Sequence, residues 1–340
     1  MSRLRIHALG AGVSVQDFGR PGFLAFGVSR GGAADVTALH EGAALLGQDP
    51  GLAALEMAGM GGTFEALEDM RIALTGAPMA ARLDGVALQW NASHALAKGS
   101  ILDIGAVRAG SYGYVHFGGG IVQQPAPLGA QSTHFAAGLN TGALNAGNVL
   151  QIGPDPGGPV GLALPPDDRF AGGPVRCVAS LQTEFFGSEQ LRRFQRSKFT
   201  RDPRANRMGV RLVPDGEGFQ TEAGLSILSE VVLPGDIQIT GDGTPFVLMC
   251  ECQTTGGYPR MGSVIPADLP RVAQAAAGTN LQFNFVELDA AIEIERTAKA
   301  RIAALKTTMH AMRRDPRDVP DLLAQQLISG VISGDEFDPA

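Results

Sequence analysis

Several residue types are scarce in this chain, and each scarcity removes a class of function. Of 340 residues only three are cysteine, one is tryptophan and three are tyrosine. The thiols Cys177, Cys250 and Cys252 are too few for a disulfide framework. The Cys250-x-Cys252 spacing fits neither a zinc pair nor a redox CxxC, so they read as structural thiols in a reducing cytoplasm. The four lysines lie in no G-x-x-x-x-G-K-[ST] context, which excludes a P-loop. The six histidines (His7, His40, His94, His116, His134, His310) form no pair at ligand spacing, and no metal is expected. There is no G-x-S-x-G nucleophile elbow. No apolar run approaches a bilayer span and the N-terminus lacks a signal peptide's apolar region, so a cytoplasmic protein with no membrane partner is expected. A net charge of −7 argues against a general nucleic-acid binder.

Glycine and proline, at 46 and 21 residues, are abundant and call for many turns and short strands. With 44% hydrophobic residues, a chain of this length holds one large or two ordinary domains with ample core. Asp35 starts the helically spaced run Val36 to Leu46, and Gly47 stops it. Asp35 therefore reads as an N-cap, with a ligand-facing role as the alternative. Glu56 is an acid inside an apolar strand. Leu83-Asp84-Gly85-Val86 is a hairpin turn, and Arg71 to Thr75 and Arg176 to Ser180 read as strands. A glycine turn entering a strand recurs at Gly99, Gly147 and Gly278. The turn-rich stretch 153–166 marks a domain boundary, giving units 1–160 and 167–290 and a C-terminal segment 291–340. Ser188 is expected to cap a helix reaching Phe199. Asp289 is expected to cap another running to about Met312, with a short amphipathic piece and an acidic tail beyond.

Chemistry-bearing residues cluster on glycine loops. The run Thr244 to Cys250 reads as a buried strand, with Cys250 and Cys252 on one face. It ends in Gln253-Thr254-Thr255-Gly256-Gly257-Tyr258-Pro259-Arg260, whose amides, hydroxyls and guanidinium suit a carboxylate or phosphate. A strand-ending turn is the plainer alternative. With Gln16, Asp17, Arg20, Asn206, Arg207 and Asp268, this set suits a small polar anion beside an acid, without naming a reaction.

Four motifs in order carry a resemblance: Gln16-Asp17-x-Gly19-Arg20-Pro21-Gly22, Gly27-Val28-x-x-Gly31-x-x-x-Asp35, Asn206-Arg207-Met208-Gly209-x-Arg211-Leu212, and Gln253 to Pro259 with Asp268. Over roughly residues 3–290 the chain resembles the KipA family, which includes the C subunit of prokaryotic 5-oxoprolinase and a module of urea carboxylases. The resemblance implies a mainly β fold with a few helices, as two linked cyclophilin-like β-barrel units plus a C-terminal helix. It implies two partners, a KipI-like B component and a LamB/YcsF-like A component. It also implies ATP-dependent opening of 5-oxo-L-proline to L-glutamate, with ATP at a partner interface. The alternatives are a carboxyltransferase component of a biotin-dependent urea or amide carboxylase, with no biotin attached to this chain, and a regulator that binds a KipI-like partner without catalysis. On this reading Arg20, Arg207 and Arg260 orient carboxylate or phosphate. Asn206, Gln253, Thr254, Thr255 and Tyr258 contact a small amide or lactam, and Asp17, Asp35 or Asp268 handles protons. The chain departs from the family's usual Gly-Ser-Arg-Ser-Thr at Gly129-Ala130-Gln131-Ser132-Thr133, losing an arginine, and reads Gly32-Ala33-Ala34-Asp35-Val36 where relatives carry Gly-Ala-Met-Asp-Arg.

Overall fold

A computed structural model describes residues 2–141, 144–221, 224 and 226–312. Two seven-stranded antiparallel sheets are built from alternating apolar residues of the first half, with one short edge strand returning from His310–Ala311. One has Ser2–Leu9, Gly62–Ala66, Ile101–Val107 and Met79–Leu83 at its centre. The other is centred on Ala54–Ala58, Tyr112–Phe117, Met70–Gly76 and Ala92–Leu96. Leu4, Ile6, Phe64 and Leu102 from the first, and Ile72, Leu74, Val115 and Phe117 from the second, share one buried core. The mainly β expectation holds. The closed barrel lies in the second half, where Gly173–Val178, Arg260–Val264, Asp236–Ile239, Pro245–Leu248, Gly209–Pro214, Phe199–Arg201 and Asn280–Phe285 pair around a ring. Phe194 from the helix Gly187–Arg196 meets Phe199, Phe219 and Phe283 there, with ring centroids 5.0–5.4 Å apart. Such aromatic contacts add to plain area burial.

A single apolar cluster joins the barrel to the first half. It runs from Val175, Leu212 and Ile237 to Ala34, Leu39, Tyr112 and Tyr114. The helix Val36–Leu46 stands at this junction. Asp35 accepts from Thr37 N and Ala38 N, and Gly47 ends the helix at φ 66°. Such a cap is worth about 1 kcal/mol. The three recurring glycines Gly99, Gly147 and Gly278 all have φ between 82° and 90° and lead into strands. Asp84 and Gly85 both adopt positive φ in the expected hairpin.

Three local expectations are corrected. Ser188 lies inside its helix, because the 3-10 turn Thr183–Phe186 passes directly into Gly187–Arg196 and leaves Phe186 at the capping position. The strand before Cys250 ends at Leu248, so Cys250 and Cys252 sit in the turn beyond it. The last long helix is Leu288–Ala303, entered at Glu287 with Asp289 in its first turn. Beyond a short turn, Leu305–Thr308, the chain becomes extended. His310–Ala311 pairs with Leu162–Ala163, and Met312 N bonds Gly161 O. Leu305 and Met309 pack on Leu45, Leu46 and Ala73, and these contacts with the sheet edge replace the expected last turns of helix. The tail expected beyond Met312 falls outside the described residues. Among the described residues no helix is long and apolar enough to cross a membrane.

Candidate active site

The junction between the sheets and the barrel holds a buried cluster of charge. Glu56 lies on Ala54–Ala58 directly opposite Tyr114 on the neighbouring strand. Its Oε2 accepts from the Tyr114 hydroxyl at 2.6 Å and from Ala34 N at 2.8 Å. Its Oε1 accepts from Arg207, which reaches across from the barrel. Arg207 also donates from Nε to Glu251 Oε1 at 2.6 Å, and to the Gly32 carbonyl. Side-chain exposure is 10% for Arg207 and 1% for each glutamate. Burial opposes the Arg207 charge, but the Cys250, Glu56 and Glu251 groups around it outweigh burial and raise its pKa. Breaking such a cluster from one side leaves an uncompensated buried charge.

The loop Gly31-Gly32 makes this approach possible. Both glycines have positive φ, 62° and 80°. A Cβ on Gly31 would lie 2.8 Å from the His134 ring, and one on Gly32 would lie 2.7 Å from Gly19 N. Only glycine fits both the conformation and the space. Gly31 N bonds Cys250 O, Glu251 N bonds Arg207 O, and Arg20 N bonds Arg30 O, so loops distant in sequence are stitched together. Beside them a cleft of about 130 Å³ is lined by Arg30, Gly31, Ala33, Ala34, Met249 and Cys250 among others. Burial lifts the Cys250 thiol to about 11, Arg207 opposing the rise and Glu56 and Glu251 adding to it.

Ser29, His134 and Glu251 are arranged like a nucleophilic triad, but the hydrogen bonds oppose that role. His134 Nδ1 accepts from Ala137 N at 3.1 Å and lies 3.6 Å from Glu251 Oε2, which itself accepts from Ala136 N. The proton therefore sits on Nε2, which faces the Ser29 oxygens at 3.0 and 3.2 Å. Burial, the largest influence, lowers the His134 pKa and favours this neutral form. Ser29 accepts there and is not activated for attack.

Asp35 extends the cluster. Besides capping its helix, its Oδ2 accepts from Arg169 Nε and Gln274 Nε2, both at 2.8 Å. Arg169 forks onto Glu41 at 2.8 and 2.7 Å, while the Gln274 oxygen accepts from Ser111 N and Tyr112 N. Tyr114 closes the link, accepting from Asp35 N while donating to Glu56.

Of the residues singled out from sequence, the structure gathers Arg207, Asp35, Asp17 and Arg20 around the Gly31–Ala34 loop. Asp17 accepts from Gly19 N and Gln131 N. Arg20 is buried and donates to Ser132 Oγ and to the carbonyls of Pro127, Ala130 and Ser132. Asn206 is exposed and holds its own turn through Met208 N and Gly209 N. Gln253, Thr255 and Tyr258 are exposed and Thr254 half-buried, around the short strand Thr255–Gly256 that pairs with Glu230–Val231. Arg260 is held by Glu230 at 2.6 Å and by Gln182 and Asp236. Asp268 pairs with Arg176 and lines a separate cleft of about 370 Å³ with Asp167, Arg271 and Arg301. The sequence reading missed Glu251, His134, Arg169 and Gln274. One signal existed for Glu251, a lone carboxylate between two cysteines in an apolar stretch.

Residues 26–285 match the profile of the carboxyltransferase domain, subdomains A and B. The C subunit of 5-oxoprolinase from Haemophilus influenzae is 33% identical over 291 residues, covering 83% of this chain and 91% of that protein. The Escherichia coli protein of the same name is 32% identical, over 90% of this chain and 99% of its own. The crystal structure of Kluyveromyces lactis urea carboxylase superposes with a TM-score of 0.80 at 24% identity. That match covers 92% of this chain and 31% of the longer one, and it speaks to the fold. By the matched domain and these relatives, the chain belongs to the carboxyltransferase-domain family, the family of the 5-oxoprolinase C subunit.

Proposed function

We propose that this chain is the C component of an ATP-dependent 5-oxoprolinase, which adds water across the lactam C–N bond of 5-oxo-L-proline to give L-glutamate. It works in the cytoplasm with a KipI-like B component and a LamB/YcsF-like A component, and ATP binds at a partner interface. What carries the reading is the match, along nearly their whole length, to proteins named as the C subunit of 5-oxoprolinase. The site is compatible with it. A small cleft adjoins a buried guanidinium flanked by two carboxylates, a setting in which a positioned polar group acts without reorganising solvent. The glutamates and Gly32 hold the Arg207 fork rigidly, so it shapes the loop wall from beneath. The exposure of the motif residues Gln253, Thr255 and Tyr258 leaves them accessible to such a partner.

The likeness to urea carboxylase favours the second reading, a carboxyltransferase component receiving a carboxyl group from biotin carried on another protein. Co-expression with the A and B components, followed by assay of glutamate from 5-oxo-L-proline and ATP, decides between them. Glutamate formation that requires this chain supports the oxoprolinase. No glutamate, together with a biotinylated protein co-purifying on streptavidin, supports carboxyl transfer. Partner binding with neither outcome leaves the regulator.

A further inference from the structure

Among the described residues, one charged residue, Arg30, contributes to the wall of the junction cleft. Around it stand the backbone of Gly31, the methyl groups of Ala33 and Ala34, and Met249, Pro266 and Leu269. Arg30 donates from Nε to the Phe18 carbonyl at 2.7 Å, and its own carbonyl accepts from Arg20 N at 2.7 Å. These two bonds fix the residue at both its backbone and its guanidinium. Among the described residues, the terminal nitrogens of Arg30 have no hydrogen-bond acceptor and no ion-pair partner. Arg20, Arg207 and Arg260 are each occupied by carbonyl, hydroxyl or carboxylate groups. Arg30 therefore differs from the three arginines first singled out, as a fork held in position with its outer edge free.

From this juxtaposition we infer that Arg30 is the anion-recognition residue of the cleft, taking the carboxylate of a compact ligand whose apolar body lies against Ala33, Ala34, Met249 and Leu269. A planar guanidinium anchored through Nε presents its two terminal nitrogens as a matched pair for two carboxylate oxygens. The apolar lining contributes shape and excludes water, and the single charged group sets orientation, the usual division of labour in a small-molecule site. Among the described residues the cleft holds no second cation, so it offers a counter-charge for one anionic group. The inference deepens the oxoprolinase reading, since 5-oxo-L-proline is a five-membered ring with one carboxylate, but its test does not depend on turnover.

The test is direct binding to the full chain by calorimetry, with three five-membered-ring probes. These are 5-oxo-L-proline, cyclopentanecarboxylate, which keeps the acid without the lactam, and 2-pyrrolidinone, which keeps the lactam without the acid. Both acids are expected to bind the wild type more tightly than pyrrolidinone. Arg30→Met is expected to weaken both acids roughly ten- to hundred-fold, the range for losing a charged hydrogen-bond partner, and to leave pyrrolidinone unchanged. Arg30→Lys, which keeps the charge and loses the fork, falls between them. Arg30 is exposed and makes one side-chain hydrogen bond, so an unchanged melting curve separates a lost contact from a lost fold. If neither acid binds the wild type, or if Arg30→Met binds the acids as the wild type does, the inference is overturned. If cyclopentanecarboxylate binds through Arg30 and 5-oxo-L-proline does not, the inference stands and the oxoprolinase reading is what fails.

Discussion

Replacing Arg207 by methionine removes one cation from a place where two carboxylates face it with almost no solvent. Glu56 retains the Tyr114 hydroxyl and Ala34 N, and Glu251 retains Ala136 N, but neither keeps a counter-charge on its Oε1 side. Removing one partner of a buried pair typically costs about 3–5 kcal/mol, because the charge left behind is both desolvated and unpaired. Arg207→Met should therefore lose at least about 3 kcal/mol in urea unfolding at pH 8. The carboxylates left behind give the sharper test, because their unpaired charge is the source of the deficit. Adding Glu251→Gln to Arg207→Met should recover part of it, since the two residues are in contact. A deficit under about 1 kcal/mol, or no recovery in the double variant, would refute the idea that an ion cluster holds this junction together.

Three further outcomes follow from the same geometry. His116 is fully buried against Gly42 and Thr75, and burial pushes it down to about 3. It stays neutral in the fold while the unfolded chain takes up a proton below about pH 6.5, so stability falls between about pH 6.5 and 3, by roughly 5 kcal/mol at most. A His116 ring proton that titrates above pH 5 in NMR spectra would contradict this. Gly32→Ala combines a φ of 80° with backbone 2.7 Å from the new Cβ, and should cost about 1–3 kcal/mol and displace the carbonyl that Arg207 uses. Thermal melting and the Arg207 signals in NMR spectra would show both effects. Burial raises Cys177 and Cys252 to about 12 and Cys250 to about 11, so iodoacetamide at pH 7.5 should label all three in urea and none in the native chain within the same time. Rapid native labelling of Cys250, read by mass spectrometry, would mean the junction is open to solvent.

What could be read from the sequence depended on how far apart the interacting residues lie. The helix opened by Asp35 and closed by Gly47, and the Asp84-Gly85 hairpin, rest on contacts within a few residues, and both were legible. Glu56, as an acid in an apolar strand, already demanded a partner, but nothing in the chain named Arg207, 151 positions away. An arginine beside glycines looks the same whether its fork faces a ligand or the protein's own carbonyls. Arg20 proves to be used by Pro127, Ala130 and Ser132, and Arg260 by Glu230, Gln182 and Asp236, while Arg30, between Ser29 and Gly31, keeps its terminal nitrogens unpaired among the described residues. The departure at Gln131 finds a local use, with its amide oxygen accepting from Gln123 N at 2.6 Å. Ser188 was misplaced because a preceding 3-10 turn removes the need for a cap, a tertiary circumstance that composition does not record.

The short strand His310–Ala311 changes how the whole chain should be pictured. Because it returns to the sheet containing Leu162–Ala163, polypeptide on both sides of the barrel belongs to the same sheet. The barrel is thus an insert within one sheet, tied to it by an outgoing and a returning segment as well as by the apolar core the two share. A protein shortened just after Phe285 would lose more than an appendage. It would uncap a sheet margin, bare Leu45 and Leu46, and leave the barrel joined by one connecting segment and the shared core.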